Sequence, residues 1–568
     1  MAVVYRQVDD LDEAERLASK TIDFMRDLDD VYHLPQHLAL LAGLESRKGN
    51  FVRADELYAE ATDVMNALLV NVVRRQLKSS LIATLSDAYV EHFELTATKF
   101  GNVAKAYEII EEARGRALAD TLRGESESLA SASDEISIEA NQEITRIQRA
   151  LMHESDPAMR ETMLEQLFAA EQLLAPEPKV RSDLNASTQG RKVAPVPIVQ
   201  RSLTTDEMLL EYVLGESQSY CVRITRTDAD VITVPADRIT IEKLVDEYLR
   251  VVRSRQLELS AGRKLYSLLL QPVIGQKLSR RLVVVPDGKL NLLPFDALKD
   301  LQGQYVLQSH IVTYAPSGTV LHLLRQSRHD GLLKQGFLGV GDVIYPQTTP
   351  SAKTSIANVM ANSAGDFFDG GAVRFSDLPG SRQEVTSVAE TIGGTTPLLL
   401  ASDATEARFK SLPLANYGII HFAVHGIANT QFPDRAALVL SSSPGSTDDG
   451  LLQVREIRDL PLHAGLVTLS ACDSGNGKLL GEEGIASLER AFLLAGARSV
   501  LASLWTADDT YTVGLMRRFY EHLINGLDNG AALRQAKLDL LQEFMDQALP
   551  LYWAGFTLVG DGRVVFSK

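Results

Sequence analysis

Leu466-Val-Thr-Leu-Ser-Ala-Cys-Asp-Ser-Gly-Asn-Gly477 is a short apolar run that ends on a cysteine and a glycine-bearing turn. Gly418-Ile-Ile-His-Phe-Ala-Val-His-Gly426 follows the same pattern with a histidine in place of the thiol. Apolar runs of four to eight residues closed by turn signals read as buried strands. Cys472 and His425 therefore fall at the C-terminal ends of two strands, 47 positions apart. Open α/β sheets bind and transform ligands at that edge.

Working outward, the same texture recurs. Met208-Leu-Leu-Glu-Tyr-Val-Leu214 and Ser219-Tyr-Cys-Val-Arg-Ile-Thr225 read as a strand pair. Arg281-Leu-Val-Val-Val-Pro286 is a β-branched buried strand that runs into the Asp287-Gly288 turn, and Phe337-Leu-Gly-Val-Gly341 is another. Strands at 418–424, 466–471 and 499–504 alternate with helical patterns at 383–392, 404–411, 484–495 and 511–525. Such alternation predicts a mostly parallel sheet with helices on both faces. Residues 351–377, rich in Ser, Ala, Gly and Asp, read as a long surface loop, which in a compact domain is functional or unconstrained.

The first 125 residues differ. Leu38, Leu41, Ala42, Gly49, Ala54, Tyr58 and Ala61 fall on tetratricopeptide spacing, in which small residues let paired helices approach and a tyrosine fills the gap. The second-helix pattern recurs at Ala106, Ile110 and Ala113, and more weakly at Ala14, so the repeats are degenerate. The chain opens inside what reads as the second helix of a repeat. Because solenoids need about three repeats and caps, it is expected to be the C-terminal part of a longer product. A polar, Ser-rich break at 122–134 precedes an amphipathic pattern from Ile136 to Leu174, read as a helical hairpin interrupted at Asp156-Pro157. Residues 175–196 read as a linker. The expected organisation is degenerate repeats over 1–125, a hairpin and linker over 126–196, and one α/β domain over 197–568.

Composition narrows the function. The 568 residues carry a formal charge of −17, against a general nucleic-acid surface, which needs a basic face. No apolar run approaches the ~18 residues of a membrane helix, and the first ten residues lack a signal-peptide pattern, so the cytoplasm is the expectation. Cys221 and Cys472 are the only cysteines, which excludes a disulfide framework and a four-cysteine zinc site. No phosphate-binding G-x-x-x-x-G-K-[ST] loop occurs, and no cofactor is expected.

A thiol attacks as its thiolate, and a neighbouring imidazole can take its proton and return it to a leaving amine. Gly426 would let a substrate backbone approach His425, and its N–H, with that of Cys472, could form an oxyanion hole. Taken singly, a Cys after an apolar strand is commonly core, and a His-Gly at a strand end is commonplace. Together, in this order and in an α/β pattern, they point to a nucleophile and its base. His421 and His425 would share a metal on a helix, but on a strand they lie about 13 Å apart. His421 is thus expected to be a buried, hydrogen-bonded core histidine, and Cys221 a small core residue.

The C-terminal 370 or so residues resemble a CHAT domain, a caspase-like, separase-related cysteine peptidase domain common behind tetratricopeptide repeats. The matching stretches begin with Val285-Pro-Asp-Gly-Lys-Leu-Asn-Leu-Leu-Pro-Phe295, Leu378-Pro-Gly-Ser-Arg-Gln-Glu-Val385 and His421-Phe-Ala-Val-His-Gly426. They continue with Leu469-Ser-Ala-Cys-Asp-Ser-Gly475, Ala491-Phe-Leu-Leu-Ala-Gly-Ala-Arg-Ser-Val500, Ser503-Leu-Trp-Thr-Ala-Asp-Asp509 and Leu551-Tyr-Trp-Ala-Gly-Phe-Thr-Leu-Val-Gly560. Caspases also place a His about 50 residues upstream of the nucleophile. The resemblance implies a caspase-hemoglobinase-type α/β sandwich behind a helical solenoid, and a dyad of His425 and Cys472. It also implies that Asp509, with Asp508 and Trp505 beside it, helps hold a basic P1 side chain. An Asp there serves equally as a helix cap. Glu482 and Glu483 are further acidic positions, read first as helix-start residues.

The expected function is a cysteine endopeptidase that cleaves a protein substrate and is controlled by a regulatory protein or sensor bound to the repeats. The resemblance implies a setting in bacterial defence or programmed cell death. A non-catalytic repeat scaffold and a thiol-dependent acyltransferase are the alternatives. The sequence leaves the oligomeric state and any calcium dependence open.

Overall fold

The chain is described by a computed structural model over residues 10–566, except 29, 72–74, 115–117, 120–121, 124–134, 152–153, 155, 174–192, 256–259, 276–278, 327–335, 346–374, 376, 395, 428–434, 442–447, 471–483 and 506–508.

Alanine spacing builds the N-terminal layer. Helices α1 (Leu11–Asp27), α2 (Leu34–Lys48), α3 (Phe51–Asn71), α4 (Arg75–Thr98) and α5 (Val103–Arg114) follow one another. Ala42, Ala54 and Ala61 are wholly buried, and Tyr58 fills the space between helices, its hydroxyl donating to Glu91 on α4 at 2.8 Å. Helix α2 stops at Gly49, whose φ of +87° suits a residue without Cβ. The hairpin follows as α6 (Glu135–Leu151) and α7 (Pro157–Leu173), with the Asp156 carboxylate accepting from the N–H groups of Ala158 and Met159.

The strands are β1 (Glu207–Val213), β2 (Ser219–Thr225), β3 (Ala229–Val234), β4 (Arg281–Val285), β5 (Ile311–Tyr314), β6 (Phe337–Val343), β7 (Leu398–Ala401), β8 (Ile419–Ala423), β9 (His425–Ile427), β10 (Ala437–Val439), β11 (Leu451–Gln453), β12 (Leu466–Leu469), β13 (Ser499–Ser503) and β14 (Phe556–Gly560). Eleven of them form one sheet in the order β3-β2-β1-β4-β5-β14-β13-β12-β8-β6-β7, and β11-β10-β9 form a small second sheet. The large sheet is mostly parallel. Only the pairs β1–β2, β2–β3 and β13–β14 are antiparallel, so the parallel run β1-β4-β5-β14 and the parallel run β13-β12-β8-β6-β7 point in opposite directions. Helices α8 (Arg238–Arg253), α9 (Gly318–Gln326), α10 (Pro379–Ile392), α11 (Gly484–Leu494), α12 (Asp509–Ile524) and α13 (Asn529–Phe544) connect the strands. The fold is thus the one expected: a helical N-terminal region, then a mostly parallel sheet with helices.

Alternation along β4 shows that both faces are covered. Leu282 and Val284 enter one core with Val245, Tyr248 and Leu249 of α8. Val283 and Val285 enter another with Phe93 of α4 and Tyr107, Ile109 and Ile110 of α5. The last helices of the N-terminal region, α4 and α5, are therefore a layer of the α/β body. A buried polar network fixes them there. The Glu111 carboxylate accepts from the N–H groups of Gly318 (2.6 Å) and Thr319 (2.8 Å) at the start of α9. Arg114 pairs with Asp287 at 2.9 Å and with Glu211 at 3.4 Å. Burial, with Glu111 beside it, pushes the Glu211 carboxyl well up.

The large sheet has a seam where β5 meets β14, a single register pair, Tyr314 with Val559. Charges staple it. Arg325 of α9 pairs with Glu207 (2.8 Å) and Asp561 (3.2 Å), and the buried Lys537 ammonium donates to Asp296 (2.6 Å) and the Phe556 carbonyl (2.7 Å). Such pairs cost more when halved than when both partners are replaced.

Candidate functional site

Strand β8 runs parallel between β6 and β12. Its register against β12 pairs Ile419 with Leu466, Ile420 with Val467, His421 with Thr468 and Phe422 with Leu469. Every pair differs by 47 in residue number, the separation of His425 and Cys472. The ladder continues one step, with the Ser470 N–H donating to the Phe422 carbonyl at 2.8 Å. Cys472, two residues further on, lies outside the described residues, as do Asp473 and the acidic pair Glu482 and Glu483.

His425 lies within the described residues. The chain bends at Val424, leaves the large sheet and enters β9, where His425 faces Val439 and Gly426 faces Leu438 of β10. The His425 N–H donates to the Tyr345 hydroxyl at 3.0 Å. The imidazole packs on the Tyr345 ring (centroids 4.8 Å apart) and on the Phe375 ring (5.5 Å). It is 3% exposed.

The small sheet that carries His425 is gripped by the hairpin. Arg435, just before β10, pairs with Glu171 of α7 at 2.7 Å. Arg149 of α6 donates to the Asp448 carbonyl (2.9 Å), and Arg455 to Gln148 (3.1 Å). Sequence reasoning missed this sheet because its strands have only three residues each.

His421 has the role its strand position predicts. Its Nε2 lies 3.0 Å from Glu384 Oε1 on α10, and its Nδ1 3.1 Å from the Tyr520 hydroxyl on α12. That hydroxyl also meets Thr468 Oγ1 at 2.7 Å. A carboxylate accepts, so Nε2 donates to Glu384, and the Tyr520 hydroxyl links Nδ1 to Thr468 Oγ1. Burial pushes the Tyr520 phenol up, so it stays a neutral hydroxyl. The network ties β8 and β12 together one turn of the pleat below His425 and keeps both His421 nitrogens from a metal. Cys221 is core as expected: it is fully buried on β2, with burial holding its thiol far above the usual range.

The three residues predicted for a P1 pocket fare differently. Trp505 is 3% exposed and follows β13. Its indole N–H donates to the Leu551 carbonyl at 2.8 Å, and its ring lies so close to Gly555 that an added Cβ would come within 2.9 Å. Asp509 opens α12, and Asp508 lies outside the described residues.

Two acidic features escaped the sequence reading. Glu489 on α11 is buried, and burial pushes its carboxyl up to about 8. Glu406, Asp448 and Glu456 converge within reach of one cation. Lys410 supplies that cation, at 2.5, 3.1 and 2.8 Å from the three. Lys410 offsets one of the three charges, and burial with Glu456 nearby pushes the Glu406 carboxyl up.

Residues 259–561, more than half of the chain, match the CHAT domain, and the chain belongs to that family. Tetratricopeptide repeat protein 28 of Homo sapiens is 28% identical over 338 residues, covering 52% of this chain and 13% of that protein. Its Mus musculus counterpart is 27% identical over 341 residues, with the same coverage. The chain thus spans about an eighth of the length of these relatives. Among solved structures it is similar to the Saccharomyces cerevisiae separase–securin complex (TM-score 0.37, 11% identity, 97% of this chain and 48% of that one). It is also similar to the Arg-specific cysteine proteinase gingipain R (TM-score 0.32, 9% identity, 57% and 75%). No helix among the described residues is long and apolar enough to cross a membrane.

Proposed function

For this member of the CHAT family we propose a cysteine endopeptidase in which Cys472 is the nucleophile and His425 its base. The observation that carries the reading is the strand register. From the last β8–β12 pair, Phe422 with Leu469, three further residues on each chain lead to His425, carried into β9 by the bend at Val424, and to Cys472, and this equal offset supports the pairing of the two. Strands in a sheet lie about 4.8 Å apart, the scale on which an imidazole can reach a thiol. His421 and Thr468, each four residues earlier, share one buried hydrogen-bond network, so their positions belong to one face.

In the proposed reaction the thiolate adds to the scissile carbonyl carbon. The N–H groups of Gly426 and Cys472 stabilise the oxyanion. His425, protonated by the thiol, donates that proton to the departing amine, and water then hydrolyses the thioester. Asp509 at the start of α12 is the proposed partner of a basic P1 side chain. The substrate is a protein. Repeat helices that form a layer of the α/β body give a bound regulatory partner a physical route to the site. A setting in defence or cell death, in the cytoplasm, extends this reading on the family resemblance alone.

The test compares protein N-termini in cells expressing the wild type or Cys472→Ala. New termini seen only with wild type, and lost in His425→Ala, support the peptidase and name P1. An Arg or Lys at P1 that disappears with Asp509→Ala supports the pocket, and any other P1 discards it. A hydroxylamine-labile adduct without new termini favours acyl transfer. Partner binding and biological effect retained in both dyad variants favour a scaffold.

A further inference from the structure

We propose that Tyr345, assisted by Phe375, is a positioning residue that sets the orientation of the His425 imidazole. The inference rests on the reading of His425 as the base. It is carried by a contact pattern that no sequence motif announced. His425 stands at a junction: β8 ends at Ala423, the chain bends at Val424, and β9 begins at His425 itself. At that bend the His425 N–H goes to a side chain, the Tyr345 hydroxyl, at 3.0 Å. The proposed base is thereby held, at its own backbone, by a residue two positions beyond the end of β6, the strand that pairs with β8.

The rings act on the imidazole directly. Tyr345, Phe375 and His425 form a triangle with centroid separations of 4.8, 5.5 and 5.8 Å. Tyr345 is 2% exposed and Phe375 9%, so water does not soften the packing. Tilted rings at these distances prefer particular angles, and a side chain caught between two of them has few rotamers left. Tyr345 also makes both kinds of contact at once, hydrogen bond and ring, to one residue. Burial pushes its phenol well up, so the hydroxyl stays neutral across the working pH range. Catalytic geometry is sensitive at this scale: a misplacement of about 1 Å can cost ~10²-fold in rate.

The test uses the full chain with Tyr345→Phe and Phe375→Leu. Tyr345→Phe keeps the ring and removes the acceptor. It is expected to lower kcat about tenfold with KM within about twofold, to speed hydrogen exchange at the His425 amide, and to shift the His425 signal in a spectrum of histidine-labelled protein, assigned with His425→Gln. Phe375→Leu keeps the hydrogen bond and is expected to shift that signal without speeding exchange. An unmoved His425 signal together with unchanged amide exchange in Tyr345→Phe overturns the proposal, whatever the activity does. Because these readouts need no substrate, a wild type that cuts nothing would sink the peptidase reading and still leave the positioning claim decided.

Discussion

The two halves of the large sheet present the same kind of edge and fill it differently. Beyond the C-terminal ends of β1, β4 and β5 lie Leu214, Asp287 and Gly318, and all three are engaged from within. The Leu214 N–H donates to Asp287, Arg114 pairs with Asp287, and Glu111 caps the helix that starts at Gly318. Beyond β8, in the other half, the described contacts on His425 engage its backbone N–H and its ring faces. The first edge uses its charged side chains to hold α5 of the N-terminal region to the sheet. The second holds an imidazole by its scaffold. One fold thus uses one sheet edge for attachment and carries the proposed chemistry at the other.

If that division holds, variants at the two edges should separate activity from stability. The largest effect is expected at the second edge. Cys472→Ala and His425→Ala should each reduce cleavage by a factor on the order of 10³ or more, with thermal midpoints within a few degrees of wild type, measured by peptide turnover and calorimetry. A variant that melts early instead would place the pair among structural residues.

Glu111→Ala should do the reverse. It strips a buried carboxylate from the N–H groups of Gly318 and Thr319, so unfolding in urea should be easier by about 3 kcal/mol. Turnover per folded molecule should stay close to wild type in the absence of a regulator. A large fall in turnover with unchanged stability would erase the distinction between the edges.

Glu489 gives a smaller, pH-dependent effect in the second half. Its carboxyl is pushed from an ordinary 4.5 to about 8 by burial. The folded state therefore binds this proton more tightly than the unfolded state does. Its stabilising contribution is full below about 4.5, falls as pH rises towards 8, and is gone above it. Between pH 6 and 8.5 wild type should lose on the order of 2 kcal/mol more than Glu489→Gln, read from paired urea titrations. Parallel losses in the two proteins would refute the assignment.

Much of this was legible in the chain. The strand runs around Arg281, Phe337, Ile419, Leu466 and Ser499 were read within a few residues, because β-branched and aliphatic runs between turns leave few alternatives. The paired helices around Ala42 and Tyr58, and the hairpin broken at Asp156-Pro157, were likewise expected. His421 was read as core from strand geometry alone. Other features carried no local signal. Three-residue strands such as β9 and β10 are too short for periodicity. The Glu111 cap, the Glu171–Arg435 grip and the Tyr345 contact join residues 207, 264 and 80 positions apart. Only the topology brings such pairs together. Trp505 likewise meets partners that its motif did not announce, Leu551 and Gly555.

The most direct test of the central claim, that Cys472 and His425 act as nucleophile and base, is the rate at which an electrophilic peptide probe alkylates Cys472, with and without His425. Intact mass suffices for the readout, because Cys221, the second of the two cysteines, is buried with its thiol pushed far up. The account predicts a single adduct at Cys472 that forms about 100-fold more slowly in His425→Ala at pH 7. Equal rates in the two proteins would mean that His425 does not activate the thiol, and would contradict it.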